Sequence, residues 1–328
     1  MNCLVVALAL PQSSVDAAGT PAGGIERLWW LFFWLLLAIF VLVIAILVGS
    51  AARRPVEHEP LGRMHSPPEA TERRLTTVVA SASGASVLIL IALIIISVRA
   101  AGSITGPGTK SDLAVEVTGN QWWWYVRYLN DDASRIVVTA NELHIPVGKR
   151  VMIRGTSNDV IHSFWVPNLQ GKRDLIPSRV TTEWIEAERP GRYRGQCAEF
   201  CGLQHAHMAF WVIAEPQEQF EQWMEAQRKP AAPPMDAATT RGQQVFLNSA
   251  CVFCHNITGT PAAGQMGPDL THFASRLTIA AGTLPNNRGN LGGWISDPQT
   301  VKPGNHMATV PVAPEDLQPL IEYLESLK

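Results

Sequence analysis

Residues Gln196-Cys-Ala-Glu-Phe-Cys-Gly-Leu-Gln-His-Ala-His-Met208 place several soft metal ligands on one short segment of the chain. The ligand-type side chains in this stretch are Cys197, Cys201, His205 and Met208. Thiolate, thioether and imidazole groups suit copper better than magnesium or calcium, which prefer oxygen ligands. Upstream, His162 lies beside an apolar, strand-like run and is placed to supply a second imidazole. The stretch therefore predicts a copper site that one loop and one earlier strand build together.

The cysteine pair also has two simpler interpretations. Outside the cytosol, Cys197 and Cys201 could form a disulfide, and a Cys-x-x-x-Cys pair can also hold zinc. Neither interpretation accounts for His205 and Met208 at their observed spacings. His207 is interpreted as a bystander, because it would point elsewhere from the same loop.

Together with the upstream histidine, the pattern Cys-x-Glu-x-Cys-x-x-x-His-x-x-Met resembles the dinuclear CuA site of cytochrome c oxidase subunit II. The resemblance implies two bridging thiolates, one imidazole for each copper ion and two weak ligands. Cys197 and Cys201 would be the bridging thiolates, and His162 and His205 the two imidazoles. Met208 and the backbone carbonyl of Glu199 would be the weak ligands. Bridging thiolates spread charge over both metals, so the ligands move little when one electron is added. Such a site, with no open coordination position, carries electrons and binds no substrate.

The composition limits the remaining function classes. The chain has 328 residues, which is enough for two or three domains. Its formal net charge is −2 and only 16% of its residues are charged, so a nucleic-acid partner is not expected. Four of the five cysteines form two pairs in metal-type or haem-type motifs, and we therefore expect no structural disulfide.

Two uncharged apolar runs, residues 28–48 and 75–98, predict a two-helix transmembrane hairpin over residues 25–100. About 20 such residues are enough to cross a hydrocarbon core of roughly 30 Å. Several arginines lie between the two runs, and short arginine-rich loops stay on the cytoplasmic side. Both chain termini are therefore expected outside the cytoplasm. Residues 1–24 are interpreted as a lead-in that can include the remnant of a signal peptide.

The next domain is predicted over residues 108–228, and its pattern is all-β from about residue 113 to residue 215, followed by a helical segment at residues 220–228. Alternating strand-like segments, separated by Gly, Pro and Asn turns, occur at 114–118, 135–139, 150–154, 181–185 and 209–213. Short strands at this spacing predict a Greek-key sandwich or barrel. The resemblance to subunit II covers the whole segment and implies a cupredoxin-like domain. A proline-rich linker is predicted to follow over residues 229–239.

The resemblance implies roles for three further side chains. Trp122, in an aromatic run, matches the exposed residue that receives electrons from a donor; the alternative is core packing, because alternation places Trp122 and Trp124 on one face. The side chain of Glu199 resembles one that reaches magnesium at the subunit I interface, where the partner supplies the other ligands. Glu72 resembles the glutamate at the mouth of a proton path; the alternative is a solvated carboxylate paired with a neighbouring arginine.

A new domain is predicted over residues 240–328. Cys251-Val-Phe-Cys-His255 is the attachment motif of c-type haem, in which Cys251 and Cys254 bind the haem covalently and His255 ligates the iron. A redox dithiol and half of a zinc site are the alternatives. The helix that opens at residues 242–246 is expected to run into this motif, and residues 314–327 predict an amphipathic helix.

The haem iron requires a sixth ligand, and methionine in that position raises the reduction potential. Met307 is the predicted ligand, because it is far enough from the haem motif to cross to the distal face. Met266 is only eleven residues past the motif histidine and should stay on the proximal side. His272 and His306 are the rival ligands. The sequence around Met307 resembles small class I cytochrome c domains.

Taken together, the sequence predicts a multidomain chain: a two-helix transmembrane hairpin, an all-β cupredoxin-like Greek-key domain and an all-α class I cytochrome c domain. The resemblance implies the subunit of a haem-copper oxidase that receives electrons from cytochrome c or a similar donor. Electrons would pass through its own haem c and dinuclear copper to subunit I, where oxygen reduction is coupled to proton pumping. The implied location is the bacterial inner membrane, with both termini and both redox domains on the periplasmic side. The alternatives are a nitric oxide reductase subunit and a membrane-tethered electron shuttle without a catalytic partner.

Overall fold

A computed structural model describes residues 12–53, 69–105, 111 and 113–328. The chain divides into two compact units. One unit comprises residues 24–107, and the other comprises residues 108–328 together with those before residue 24. The short apolar run near the N-terminus, Cys3 and the arginines at positions 54 and 63 lie outside the described residues.

The unit of residues 24–107 is formed by two long helices, α1 (Thr20–Ala52, which begins in the other unit) and α2 (Glu69–Thr105). Both are long and apolar enough to cross a membrane, by length and composition. They contain the two predicted spans. Helix α2 also begins before the second predicted span and continues beyond it, to Thr105. Glu72 lies in the first turn of α2 and is exposed.

Ten strands form a β-sandwich in the second unit. They are β1 (Leu113–Asn120), β2 (Trp123–Tyr128), β3 (Val137–Ala140), β4 (Glu142–Pro146), β5 (Val151–Ser157), β6 (His162–Trp165), β7 (Arg173–Leu175), β8 (Thr181–Ile185), β9 (Gly191–Cys197) and β10 (Ala209–Glu215). The two five-stranded sheets have the orders β3-β2-β1-β5-β8 and β4-β10-β9-β6-β7. The sandwich prediction is confirmed. Six strands (β1, β3, β5, β6, β8 and β10) overlap segments that the sequence analysis described as strand-like. The other four were not named there; β7, for example, has only three residues, too few to show an alternating pattern.

The side chains between the two sheets form one apolar core. Trp124, Tyr128 and Phe164 are almost fully buried in it. The rings of Trp124 and Phe210 lie with their centroids 5.1 Å apart and an interplanar angle of 61°, a favourable edge-to-face arrangement. Helix α3 (Gln217–Gln227) follows β10 and adds its two buried side chains to this core.

The C-terminal segment is a small helical domain with its own apolar core. Its elements are α4 (Ala237–Leu247), α5 (Cys251–Cys254), the hairpin of β11 (Thr278–Ile279) and β12 (Leu284–Pro285), α6 (Arg288–Ser296), α7 (Pro298–Val301) and α8 (Pro314–Ser326). In the described part of the chain there are also three short 3₁₀ turns, at Ala133–Arg135 and His205–His207 in the sandwich and Phe273–Ser275 in this domain. Helix α8 confirms the predicted amphipathic helix.

Helices α4 and α8 cross in close contact, and a glycine makes this possible. A Cβ atom on Gly242 would lie 2.0 Å from the carbonyl oxygen of Pro319, so only glycine fits. The prediction that the helix of Gly242 continues into the haem motif was wrong. Helix α4 ends at Leu247, because Asn248 leaves the helical conformation and Ser249 Oγ bonds back to the carbonyl of Phe246.

Candidate metal and haem sites

The strands of one sheet bring the predicted copper ligands to one end of the sandwich. His162 is the first residue of β6, and Cys197 is the last residue of β9. These strands pair antiparallel, with Phe164 opposite Cys197. His162, at the start of β6, therefore lies at the same end of the sheet as the loop that follows β9. The loop continues to Met208, directly before β10. We call residues 197–208 the copper loop.

All six predicted ligand groups converge. Cys197 Sγ lies 3.8 Å from both His162 Nδ1 and Cys201 Sγ, and 3.2 Å from the carbonyl oxygen of Glu199. Cys201 Sγ lies 3.6 Å from His205 Nδ1 and 3.8 Å from Met208 Sδ. The two sulfurs are too far apart for a disulfide bond of about 2.05 Å. Six donors exceed the four that a tetrahedral zinc ion uses, so the donor set fits two soft ions better than one zinc.

The convergent groups are shielded from water. His162 and Met208 are 0% exposed, and Cys197 and Cys201 are each 2% exposed. His205 is half-buried, whereas His207 is exposed and its Nδ1 faces Gln204 Oε1 at 2.7 Å. Burial of this many sulfur and imidazole groups close to one another is the environment that a bound soft metal needs.

The electrostatics of the thiol pair favour cations between them. The hydrogen bond from Cys201 lowers the pKa of the Cys197 thiol, and the same interaction together with burial raises the pKa of Cys201. In the absence of positive charge, the pair therefore keeps one proton, because two thiolates 3.8 Å apart repel each other. Metal ions are what would allow both sulfurs to be thiolates.

Asp159 is a functional residue that the sequence analysis missed. Its Oδ1 lies 2.8 Å from His162 Nε2, and its carboxylate also accepts the backbone N–H groups of Gln121 at 2.6 Å and Val160 at 2.7 Å. A hydrogen on Nε2 leaves Nδ1 of His162 free to face the sulfurs. Burial lowers the pKa of His162, but the bonds to Asp159 and Cys197 outweigh it and raise the pKa overall. The sequence signal that could have identified Asp159 is its position three residues before the predicted ligand His162.

The structure corrects the expectation for Trp122. This side chain is only 8% exposed, so it is not the exposed residue that the resemblance implied. Its indole Nε1 donates to the carbonyl of Cys201 at 3.0 Å, and Gln121 Nε2 donates to the same oxygen at 2.8 Å. The ring of His306, from the C-terminal domain, lies 5.5 Å from it. The fused domain thus covers this residue, which sequence alternation could not reveal.

The carboxylate of Glu199 has a cationic partner within the chain. Lys172 Nζ lies 3.2 Å from Glu199 Oε2 and 3.3 Å from Asp174 Oδ1. Its ammonium therefore pairs with both carboxylates. This arrangement gives the magnesium prediction no support.

The haem motif presents its histidine in a defined tautomer. His255 directly follows the short helix α5, and its Nδ1–H donates to the carbonyl of Pro268 at 2.7 Å, which leaves Nε2 for iron. Burial lowers the pKa of His255, and this favours the neutral ring that a metal needs. A Cβ atom on Gly267 would lie 2.8 Å from the imidazole, so glycine allows the chain to pass close to the ring. These features fit an axial haem ligand.

The candidates for the sixth iron ligand differ in their surroundings. Met307 is half-buried, and its backbone N–H is held by Asn305 Oδ1 at 2.8 Å. Met266 is 79% exposed. Both ring nitrogens of His272 lie against backbone carbonyls, at 2.9 and 3.0 Å, so neither nitrogen faces an open position where an iron ion could bind. His306 is exposed and faces the tryptophan of the β-sandwich. Among these four residues, the surroundings favour Met307.

Comparison with known proteins agrees with this architecture. Residues 113–215 match the family described as cytochrome c oxidase subunit II, periplasmic domain, and residues 239–328 match the family described as cytochrome c. Cytochrome c oxidase subunit 2 of Alkalihalophilus pseudofirmus is 38% identical over 251 residues, which are 73% of this chain and 71% of the relative.

Two further similar proteins carry the same description. Cytochrome c oxidase subunit 2 of Bacillus sp. strain PS3 is 33% identical and covers 67% of this chain, which spans 63% of that relative. The crystal structure of the periplasmic domain of subunit II of cytochrome oxidase from Bradyrhizobium japonicum is 30% identical. It covers 37% of this chain and 96% of its own, with a TM-score of 0.34.

Proposed function

Because this chain belongs to the cytochrome c oxidase subunit 2 family and carries a cytochrome c domain, we propose that it relays electrons from its own haem c through a dinuclear copper site to the oxygen-reducing subunit. Family members are subunits of haem-copper terminal oxidases, which are oxidoreductases. The observation that carries the proposal is the convergence of two thiols, a thioether and two imidazoles, with one backbone carbonyl, at one end of the β-sandwich.

The copper loop and His162 would hold two copper ions. Cys197 and Cys201 would bridge them, one imidazole would bind each ion, and the thioether of Met208 and the carbonyl of Glu199 would be weak ligands. The dinuclear site supplies one-electron transfer when it is loaded. The protein contributes rigidity: burial excludes water, and Asp159 holds the imidazole of His162 in one orientation.

The haem domain would bind its cofactor through Cys251 and Cys254, with His255 and Met307 as axial ligands. The bond from His255 to the carbonyl of Pro268 orients the proximal ring and makes it a stronger ligand. A methionine on the distal side favours a higher reduction potential, which suits acceptance of electrons from an external cytochrome c or a similar donor.

The two long apolar helices anchor the chain in the membrane. Arginines near the inner ends of the helices support a periplasmic location for both redox domains. Proton pumping would take place in the oxygen-reducing partner, and Glu72 is the residue proposed at the mouth of a proton path. The curated relatives carry the name cytochrome c oxidase, so we do not propose nitric oxide reduction.

The test is electron paramagnetic resonance of the full chain, purified with copper and haem. Hyperfine structure shared by two equivalent copper nuclei is expected. Cys197→Ser should abolish this signal and leave the haem spectrum unaltered, because the haem domain has a separate core. The exposed Ser134→Ala change in the same β-sandwich serves as the matched control. A signal from one copper nucleus in the parent protein would refute the dinuclear site.

A further inference from the structure

The β-sandwich and the haem domain meet at the copper loop. Gln204 Nε2 donates to the carbonyl of Pro303 at 2.6 Å, and the backbone of Gly304 lies against the side chain of Leu203. The backbone N–H of Ala209 donates to the carbonyl of Ala281 at 3.0 Å. Pro303 and Gly304, which the copper loop contacts, belong to residues 302–307 of the haem domain, a segment that ends at Met307. We call this segment the docking loop.

Lys302, the first residue of the docking loop, reaches into the β-sandwich. Its side chain is 2% exposed. Its ammonium donates to the carbonyl of Trp122 at 2.8 Å and to the carbonyl of Ala280 at 3.1 Å. One carbonyl belongs to each domain, so the lysine joins the domains through two main-chain groups whose positions are set by their strands and turns.

Trp122 continues this connection to the copper loop. Its main-chain oxygen accepts from Lys302, while its indole Nε1 donates to the carbonyl of Cys201 at 3.0 Å. The ring of His306 lies 5.5 Å from the indole. A continuous set of contacts therefore runs from the docking loop, which carries the proposed axial methionine, to one of the proposed bridging thiolates.

Burying a lysine side chain is energetically unfavourable, so the partners of Lys302 indicate what this residue does. Burial lowers the pKa of Lys302 to about 7, and the neighbouring Cys201 opposes this effect. A side chain that served only to fill space would be apolar, because a buried ammonium is unfavourable without partners. The partners of Lys302 are the two carbonyls. Its benefit is therefore geometric: the amine keeps both partners only while Trp122 of the β-sandwich lies against the docking loop.

We propose that Lys302 is a positioning residue that fixes the haem domain over the copper loop, with Trp122 as the contact between the two redox sites. The inference rests on the proposed function, since it assumes that the haem domain is the electron donor to the copper site. It follows that an external donor delivers its electron to the haem domain and does not reach Trp122, which the docked domain covers.

The test compares Lys302→Met with the parent chain as full-length protein loaded with copper and haem. Methionine keeps the apolar stem and removes the donor. Residue-resolved hydrogen exchange is measured at the backbone N–H groups of Ala209 and Leu277, which bond across the interface to Ala281 and Glu142. Loss of the buried donor should accelerate exchange at both sites by about tenfold or more. Lys149→Met, at an exposed turn of the β-sandwich, is the matched control and should behave as the parent.

Kinetic measurements separate positioning from general damage. In Lys302→Met, reduction of the haem by an external donor should keep its rate, whereas transfer from haem to copper should slow by about tenfold. Both the haem spectrum and the copper signal should be unchanged. If Lys302→Met does not retain haem, Lys302→Leu, which also lacks a donor, takes its place and must show the same faster exchange.

Unchanged exchange at Ala209 and Leu277 in the lysine variant would overturn the inference. So would equal slowing of both electron-transfer steps, because a positioning residue affects only the internal step. A parent protein that lacks the two-copper signal would refute the proposed function instead. The exchange comparison requires neither electron transfer nor oxygen, so the two failures are distinguishable.

Discussion

Replacing Asp159 with asparagine tests how the β-sandwich orients its copper ligands. One carboxylate oxygen accepts from His162 Nε2 at 2.8 Å and from Val160 N at 2.7 Å, and the other accepts from Gln121 N at 2.6 Å. Asparagine keeps only one oxygen acceptor. Its NH₂ group must then face one of these N–H donors, so the variant loses one charge-assisted hydrogen bond and creates a contact between two donors.

The magnitude follows from these contacts. A hydrogen bond to a charged group contributes about 1.5–3 kcal/mol. The Asp159 side chain is 29% exposed, so solvent screening places the expected loss at the low end, about 1.5 kcal/mol of folding free energy. Loss of a carboxylate partner to a ligand histidine typically lowers metal affinity about 10- to 100-fold. Copper binding should therefore weaken by about 1.4–2.8 kcal/mol.

The assay is competition for copper between the full chain and a chelator of known affinity, followed by the visible absorption of the thiolate–copper bonds. Asp131→Asn, at an exposed position in the same β-sandwich, is the matched control and should keep the parent affinity. Copper affinity within about twofold of the parent in Asp159→Asn would refute the reasoning, because loss of a carboxylate that holds a ligand histidine should weaken binding by at least about tenfold.

Three further outcomes are expected. Met307→Ala should convert a low-spin haem into one that binds added ligands, seen by optical titration; a haem that stays low-spin would exclude this methionine. His144 is buried between two carboxylates that raise its pKa despite burial. Its stabilising contribution is present below the unfolded pKa of about 6.5 and is lost as pH rises through the higher folded value. In His144→Gln the melting temperature should therefore depend less on pH over this range than in the parent. The same pH dependence in both proteins would contradict the stabilising role of His144. Gly242→Ala should lower the free energy of unfolding of the haem domain by about 1–3 kcal/mol or more, because its Cβ would overlap Pro319 O. The measurement is denaturant unfolding followed at the haem absorption band. An unchanged free energy of unfolding would contradict the prediction and mean that the two helices move apart at little cost.

Several features of the site could be predicted because they are local in sequence. The spacing of Cys197, Cys201, His205 and Met208 confines four ligands of three types to one loop, and the haem motif is contained in five consecutive residues. The membrane helices follow from long uninterrupted apolar runs. In each case the chemistry depends on residues that are neighbours along the chain, so no knowledge of long-range contacts is needed.

Other features depend on distant residues meeting in space. Asp159 orients His162 only because the β-strands place the carboxylate beside the ring and beside the backbone of Gln121. The alternation of the aromatic run correctly placed Trp124 in the core, yet it could not indicate that another domain covers Trp122. When a separate domain covers a segment, the pattern of apolar and polar residues in that segment does not show it.

The sequence by itself determined the ligand types, the two apolar helices and the order of the domains, because thiolate spacing, hydrophobic length and motif chemistry act over short stretches of chain. Only the tertiary structure decided which groups hold those ligands in place and how the two redox domains meet. The bond from Lys302 to the carbonyl of Trp122 joins residues 180 positions apart. Such a contact is specified by the packing of whole domains, and an isolated lysine in a polar loop gives no sign of it.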